Sequence, residues 1–159
     1  MPAADPRDVE PFASVGFLLS TLGYVVSRGF HEVLAPLDLE PRQFAVLRAV
    51  GFGEGQPQQA LAHRLHIPPS RMVALVDELE ERGLLERRPA PNDRRVRTLH
   101  VTPAGRRLLR DAFEVAVEFE RRVSGVLNEK ERTQLLGHLR RIALDLGVGG
   151  GGFHPALRD

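Results

Sequence analysis

The sequence predicts a mainly α-helical protein carrying one small β-hairpin, and three observations predict it. Apolar residues recur at spacings of three and four through most of the chain, the period of helices with one buried face. The segments Leu84–Arg88 and Arg97–Val101 alternate instead with period two, as strands do. Between those segments lies Pro89-Ala-Pro-Asn-Asp-Arg-Arg95, which is dense in turn-forming residues.

From the N-terminus, residues 1–10 are rich in Pro, Ala and Asp and read as a loosely ordered arm. Phe12 to Leu37 reads as a helix, with Val15, Leu18, Leu19, Leu22, Val25, Val26, Phe30, Val33 and Leu34 at helical spacing. Gly16, Gly23 and Gly29 within it each cost about 1 kcal/mol relative to Ala, so they mark either close packing against another helix or a bend. Pro36 should end or kink this helix. A second helix starts at Pro41, which suits the first helical position, and carries Phe44, Val46, Leu47 and Val50. The glycine-rich Gly51-Phe-Gly-Glu-Gly55 follows as a turn.

Pro57 to Leu65 reads as a short helix with Leu61 and Leu65 on one face. In His66-Ile-Pro-Pro69 two prolines forbid continuation and restart the chain in a new direction. Ser70 to Arg82 forms the next helix, with Met72, Val73, Leu75, Val76 and Leu79 on a wide apolar stripe, and Gly83 ends it. Two short helices meeting at a steep angle, followed by a basic hairpin, make a winged helix-turn-helix, which presents its second helix to a DNA major groove.

Thr102-Pro103 opens a long helix with a hydroxyl cap and proline behind it. It runs to about Val126 with two apolar faces: Leu109, Ala112, Phe113, Ala116 and Val123 on one, Leu108, Val115, Phe119 and Val126 on the other. A helix wetted on one side needs only one such face, so this one bridges the DNA-reading body and something else. Asn128-Glu-Lys-Glu131 resembles a capping box and starts a last helix, striped by Leu135, Leu139, Ile142 and Leu146, that stops at Gly147. These outer stripes exceed the needs of a small body, and burial against a second copy in a two-fold homodimer is their economical use. The expected organisation is therefore a winged helix-turn-helix over residues 38–102, a helical dimerisation region made of 11–37 and 103–147, and a glycine-rich flexible tail over 148–159.

Bulk properties narrow the function. The chain is 42% hydrophobic and 27% charged, as ordinary globular proteins are. It has no apolar run of about 18 residues to cross a membrane, no signal-peptide pattern, and no cysteine for disulfides, thiolate metal sites or thiol redox sensing. A cytoplasmic location is the expectation. Net charge is only +1, but its distribution matters more: Arg82, Arg87, Arg88, Arg94, Arg95 and Arg97 face only Glu86 and Asp93 in that stretch, a local +4. His63 and His66 lack carboxylate or thiolate partners for a metal. No nucleophile set, phosphate loop or acid pair suggests an enzyme, and no cofactor is expected.

Leu65-His-Ile-Pro-Pro-Ser-Arg-Met-Val-Ala-Leu-Val-Asp-Glu-Leu-Glu-Glu-Arg-Gly-Leu-Leu-Glu-Arg-Arg88, with Asp93-Arg-Arg95 and Leu99-His-Val-Thr-Pro-Ala-Gly105, resembles the MarR family of bacterial transcriptional regulators. The resemblance spans roughly Gly23 to Leu146 in element order and is closest from Gln59 to Gly105. It implies a homodimeric regulator, a repressor by expectation, on a pseudo-palindromic operator, released by a small aromatic or anionic molecule. It implies that Ser70, Arg71 and Val73, at the start of the reading helix, touch bases and phosphates. It places Arg95 in a minor groove and has Asp93 fix the wing by pairing with an arginine, while Arg87, Arg88, Arg94 and Arg97 fall to phosphates. A guanidinium independently suits the narrow, electronegative minor groove of A·T-rich DNA. The family's effector pocket lies near the dimer junction, where Tyr24, Arg28, His31 and Arg48 are polar groups able to orient a carboxylate or phenol, or else are rim residues and salt-bridge partners. Three residues depart from the pattern: Pro68 replaces a capping Ser or Asp, Ala74 a basic or polar residue, and His66 a turn glycine, which forces His66 towards positive φ. The other reading of the fold is a winged-helix module that docks a protein and binds DNA weakly and without sequence preference.

Overall fold

The computed structural model describes residues 14–148. The N-terminal arm, the expected helix start at Phe12 and nearly all of the glycine-rich tail lie outside that range. Six α-helices and one hairpin follow in the order α1 (Val15–Leu34), α2 (Pro41–Gly51), α3 (Gln58–Leu65), α4 (Pro69–Glu81), β1 (Leu85–Pro89), β2 (Arg97–Val101), α5 (Pro103–Ser124) and α6 (Glu129–Asp145). A single 3-10 turn, Ala35–Leu37, takes up Pro36, so α1 ends at Leu34 rather than continuing to Leu37. The fold class is as expected: mainly helical, with a two-stranded antiparallel wing.

Local chemistry sets the boundaries. Pro41 and Pro103 occupy first-turn positions, and the Thr102 hydroxyl accepts from Gly105 N–H at 3.0 Å. Asn128 and Glu131 form the reciprocal capping box, at 3.0 and 2.9 Å. At the α3–α4 turn His66 adopts φ 55°, the left-handed region, and Ile67 N–H returns to Ala62 C=O at 3.0 Å. That Schellman-type ending buries Ile67 and redirects the chain. Gly83 takes φ 65° after α4.

Two apolar clusters carry the fold. One is the core of the helix-turn-helix: Val46, Leu47 and Val50 from α2, Leu61 and Leu65 from α3, Met72, Val76 and Leu79 from α4, and Leu85, Leu99 and Val101 from the hairpin. The other joins Leu34, Leu39, Phe44 and Ala112, with Phe30 and Phe113 packed on them. Leu108 and Leu109 of α5 touch both, which is the bridging role its two faces predict. Phe44 meets Phe30 edge-on at 5.8 Å and Phe113 at 5.6 Å, so aromatic rings lock α1, α2 and α5 together.

The hairpin pairs Leu85 with Val101 through Pro89 with Arg97. A lone two-stranded ribbon is marginal in water, and this one is held along both edges. On the β2 side, Gly55 N–H donates to Leu99 C=O at 3.0 Å and Leu99 N–H to Gln56 C=O at 3.1 Å. On the β1 side, Arg87 N–H donates to the Glu80 carboxylate of α4 at 3.0 Å. Glu54 secures the far end of the ribbon: it accepts from Val101 N–H at 3.2 Å and pairs with Arg106 at 2.9 Å. Burial pushes its carboxyl up, but the Arg106 and Val101 hydrogen bonds and the Arg106 and His100 charges together hold it below the usual glutamate range.

The outer helices are different. No residue of α6 is buried, and Leu135, Leu136, Leu144 and Leu146 stand exposed along it. Val15, Phe17, Leu18, Leu22 and Val25 of α1 are exposed as well. Of the three α1 glycines, Gly29 alone is a close-packing site, since a Cβ there would fall 2.9 Å from the Phe119 ring; Gly23 has open space. No helix among the described residues is long and apolar enough to cross a membrane.

Candidate nucleic-acid interface and effector cleft

The exposed first turn of α4 is where the helix-turn-helix meets solvent. Pro68 caps this helix without a side-chain hydrogen bond, as its lack of an acceptor requires, and Pro69 is the first helical residue. Neither proline has an N–H, so the donors left unpaired by helix geometry there are those of Ser70 and Arg71. Ser70, Val73 and Ala74 are exposed, and Arg71 is half-buried beside them. Unfilled N–H groups with a helix dipole behind them favour a phosphate oxygen.

The wing tip is a tight turn. Asp93 Oδ1 accepts from Arg95 N–H at 2.9 Å, Asp93 C=O from Val96 N–H at 3.0 Å, and Ala90 N–H closes on Val96 C=O at 2.9 Å. Asp93 thus shapes the wing, but through the backbone of Arg95. The expected pairing with an arginine side chain is corrected: among the described residues its carboxylate makes no ion pair. The Asx turn leaves Arg94 and Arg95 exposed. Neither they nor Arg97 has an ion pair among the described residues.

The remaining arginines are committed elsewhere. Arg88 pairs with Glu86 on its own strand, and Arg82 with Asp38 at 3.4 Å and Gln43 at 3.2 Å. Arg87, expected to reach phosphate, turns inward instead. Its guanidinium engages Asp77 at 2.6 Å, Glu80, and Gln58 at 2.9 Å, and its side chain is only 19% exposed. Half-buried and with two carboxylates on it, this guanidinium has little charge left to offer DNA. The sequence alone did not single out Asp77, Glu80 and Gln58 as its partners.

The four expected effector residues are not brought together. Tyr24 and Arg28 line a cleft of about 700 Å³ between α1 and α5, with Leu22, Phe119, Arg122 and Val123. His31 opens instead on a smaller, acidic recess with Asp38, Glu40, Glu78 and Glu81, and lies 3.3 Å from Glu40. Arg48 stacks over the Phe44 ring at 5.9 Å and belongs to neither. The α1–α5 cleft gains an unforeseen member in Arg122, whose guanidinium lies 5.2 Å from the Phe119 ring centre. The i, i+3 spacing of Phe119 and Arg122 was the available signal. Arg28 is spanned to Glu32 at 2.9 Å, which leaves Arg122 as the cleft's better anion partner. Among the described residues no group of three possible metal ligands exists; His63 and His66 simply stack, 6.5 Å apart.

Comparison with known proteins agrees with this geometry. Residues 37–96 match the sequence profile of the MarR family. PecS, an HTH-type transcriptional regulator of Dickeya dadantii, is 31% identical over 138 residues, covering 85% of this chain and 82% of its own. CouR of Rhodococcus jostii RHA1, solved with p-coumaroyl-CoA bound, is 34% identical with a TM-score of 0.70, over 89% of this chain and 96% of that one. The transcriptional repressor CouR on a 23-mer DNA duplex is 33% identical and superposes with a TM-score of 0.75, over 86% and 99%. With a reading helix, an arginine-tipped wing and relatives of this similarity along most of its length, the chain belongs to the MarR family of DNA-binding transcriptional regulators.

Proposed function

We propose that the protein is a homodimeric repressor that reads a pseudo-palindromic operator and leaves it when a small aromatic anion binds. The observation that carries the DNA reading is the state of the arginines: those at the wing tip are exposed and unneutralised, while those at the wing root are paired. Ser70, Arg71 and Val73 enter the major groove, Arg95 the minor groove, and Arg94 and Arg97 meet phosphates. Arg88 joins them only by giving up Glu86. The unburied faces of α1 and α6 support the dimer, because apolar surface of that extent marks an interface. Two copies then set their α4 helices about 34 Å apart, one turn of DNA.

The α1–α5 cleft supports release by ligand. Tyr24 offers an exposed ring, Phe119 a largely buried apolar wall and Arg122 a cation, the chemistry of an aryl carboxylate or a phenol with an attached anion. The similar CouR was solved with p-coumaroyl-CoA, which has both an aryl group and phosphates. The cleft lies between α1 and α5, so a ligand there alters how the DNA-reading body sits on the outer helices.

Arg95→Ala tests the DNA assignment. Its operator affinity should fall while its thermal midpoint stays that of wild type. The slope of log affinity against log salt should flatten by about 0.9 per wing. Wild-type binding by this variant across a salt series would overturn the minor-groove role.

A further inference from the structure

The wing and the reading helix must meet adjacent grooves of one duplex simultaneously, so their relative angle matters as much as their contacts. A rigid link makes the second contact nearly intramolecular once the first has formed. The hairpin's β2 edge is fixed to residues 55–57, but its β1 edge faces α4. There, beyond the shared apolar core at the wing root, one side chain makes the polar link. Arg87 Nε donates to Gln58 Oε1 of α3 at 2.9 Å, one terminal nitrogen to Asp77 Oδ1 of α4 at 2.6 Å, and the other to Glu80 Oε2. The Arg87 backbone N–H takes the remaining Glu80 oxygen at 3.0 Å. Asp77 and Glu80 lie one turn apart on α4, so two anchor points on a rigid helix are held by one planar fork. Lysine, a point charge with no such fork, could not span them.

We propose that Arg87 is a positioning residue for operator recognition: with Asp77, Glu80 and Gln58 it clamps the wing to the reading helix at the angle that lets both enter DNA together. It touches no nucleic acid itself. The inference rests on the DNA-binding reading above and deepens it.

The partners of Arg87 supply a test whose sign separates positioning from simple electrostatics. Asp77→Asn and Glu80→Gln each remove a negative charge close to the DNA-facing surface, which by charge alone strengthens attraction to phosphate. If the clamp positions the wing, each instead weakens operator binding, by about tenfold, a coupling typical of residues sharing one network. Tighter or unchanged binding overturns the proposal. Arg87→Gln supplies the second arm. In that background Arg95→Ala should cost a smaller factor than in wild type, because an unclamped wing no longer delivers Arg95. An equal factor in both backgrounds would identify Arg87 as an independent phosphate contact and overturn the clamp. A third reading, amide hydrogen exchange without DNA, judges the clamp by itself. Exchange of the β1 amides should quicken in all three variants while the α2 core amides stay protected; unchanged β1 exchange defeats it. Were wild type to bind operator and scrambled duplex alike, the DNA reading would fail, and the exchange measurement would still decide the clamp.

Discussion

At Gly105 a single methyl group has nowhere to go. A Cβ there would stand 2.1 Å from the Leu84 carbonyl oxygen and 2.9 Å from Val101. The first of these is backbone and cannot swing aside. The close approach lets Thr102 N–H reach Leu84 C=O at 3.1 Å, and the Thr102 hydroxyl reach Gly83 C=O at 2.6 Å, which sews the start of α5 to the entrance of β1. Gly105→Ala should therefore cost about 2–4 kcal/mol, a thermal midpoint lower by roughly 5–15 °C, as circular dichroism would read it. An unchanged midpoint would mean that the α5 start is free to shift. How much of the chain is legible from sequence divides at this scale. The Thr102 and Asn128 caps were legible because a cap is settled within three residues of itself. The positive φ of His66 was legible because the resemblance places a turn glycine at that position. The inward turn of Arg87 was not, since Gln58 is 29 residues away and only the packed fold brings it close.

At the scale of elements, helical periodicity identified faces but not what they face. Tyr24 and His31 both project from α1, yet they stand about 10 Å apart along its axis and open on different recesses. A helical wheel collapses that axial distance, which is why the expected effector set splits. The helix α6 makes the complementary point. It is well capped and striped with leucines, yet none of its residues is buried among the described residues. Leu139 and Ile142 are only half-buried and Leu135 is exposed, so the stripe has apolar area left for an occupant. Since Leu135 and Leu146 of that stripe are exposed in the single chain, replacing both with Glu should leave the fold intact and break only the proposed contact with a second copy. Each lost leucine is worth about 1.5–3 kcal/mol and counts twice across a two-fold axis. Even with these side chains only half-buried in the dimer, dissociation should rise by a hundredfold or more, visible by sedimentation as a monomer at micromolar concentration. A double variant that sediments like wild type would remove α6 from the interface.

For the whole molecule, element order and fold class were readable because each boundary carries its own chemistry: Pro41, the proline-bearing turn, Gly83, Thr102 and Asn128. Assembly is a property of surfaces, and one chain records it only as apolar side chains left in water. In the proposed assembly two copies join through α1 and α6 and present paired α4 helices and wings to successive turns of one duplex. Selection of bound sequences from a pool of random duplexes by the purified protein tests that claim most directly. An inverted repeat is expected, its half-site centres about 10 base pairs apart, flanked by A·T-rich positions where the wings would reach the minor groove. Recovery of a single unrepeated half-site, or of no preferred sequence, would contradict it.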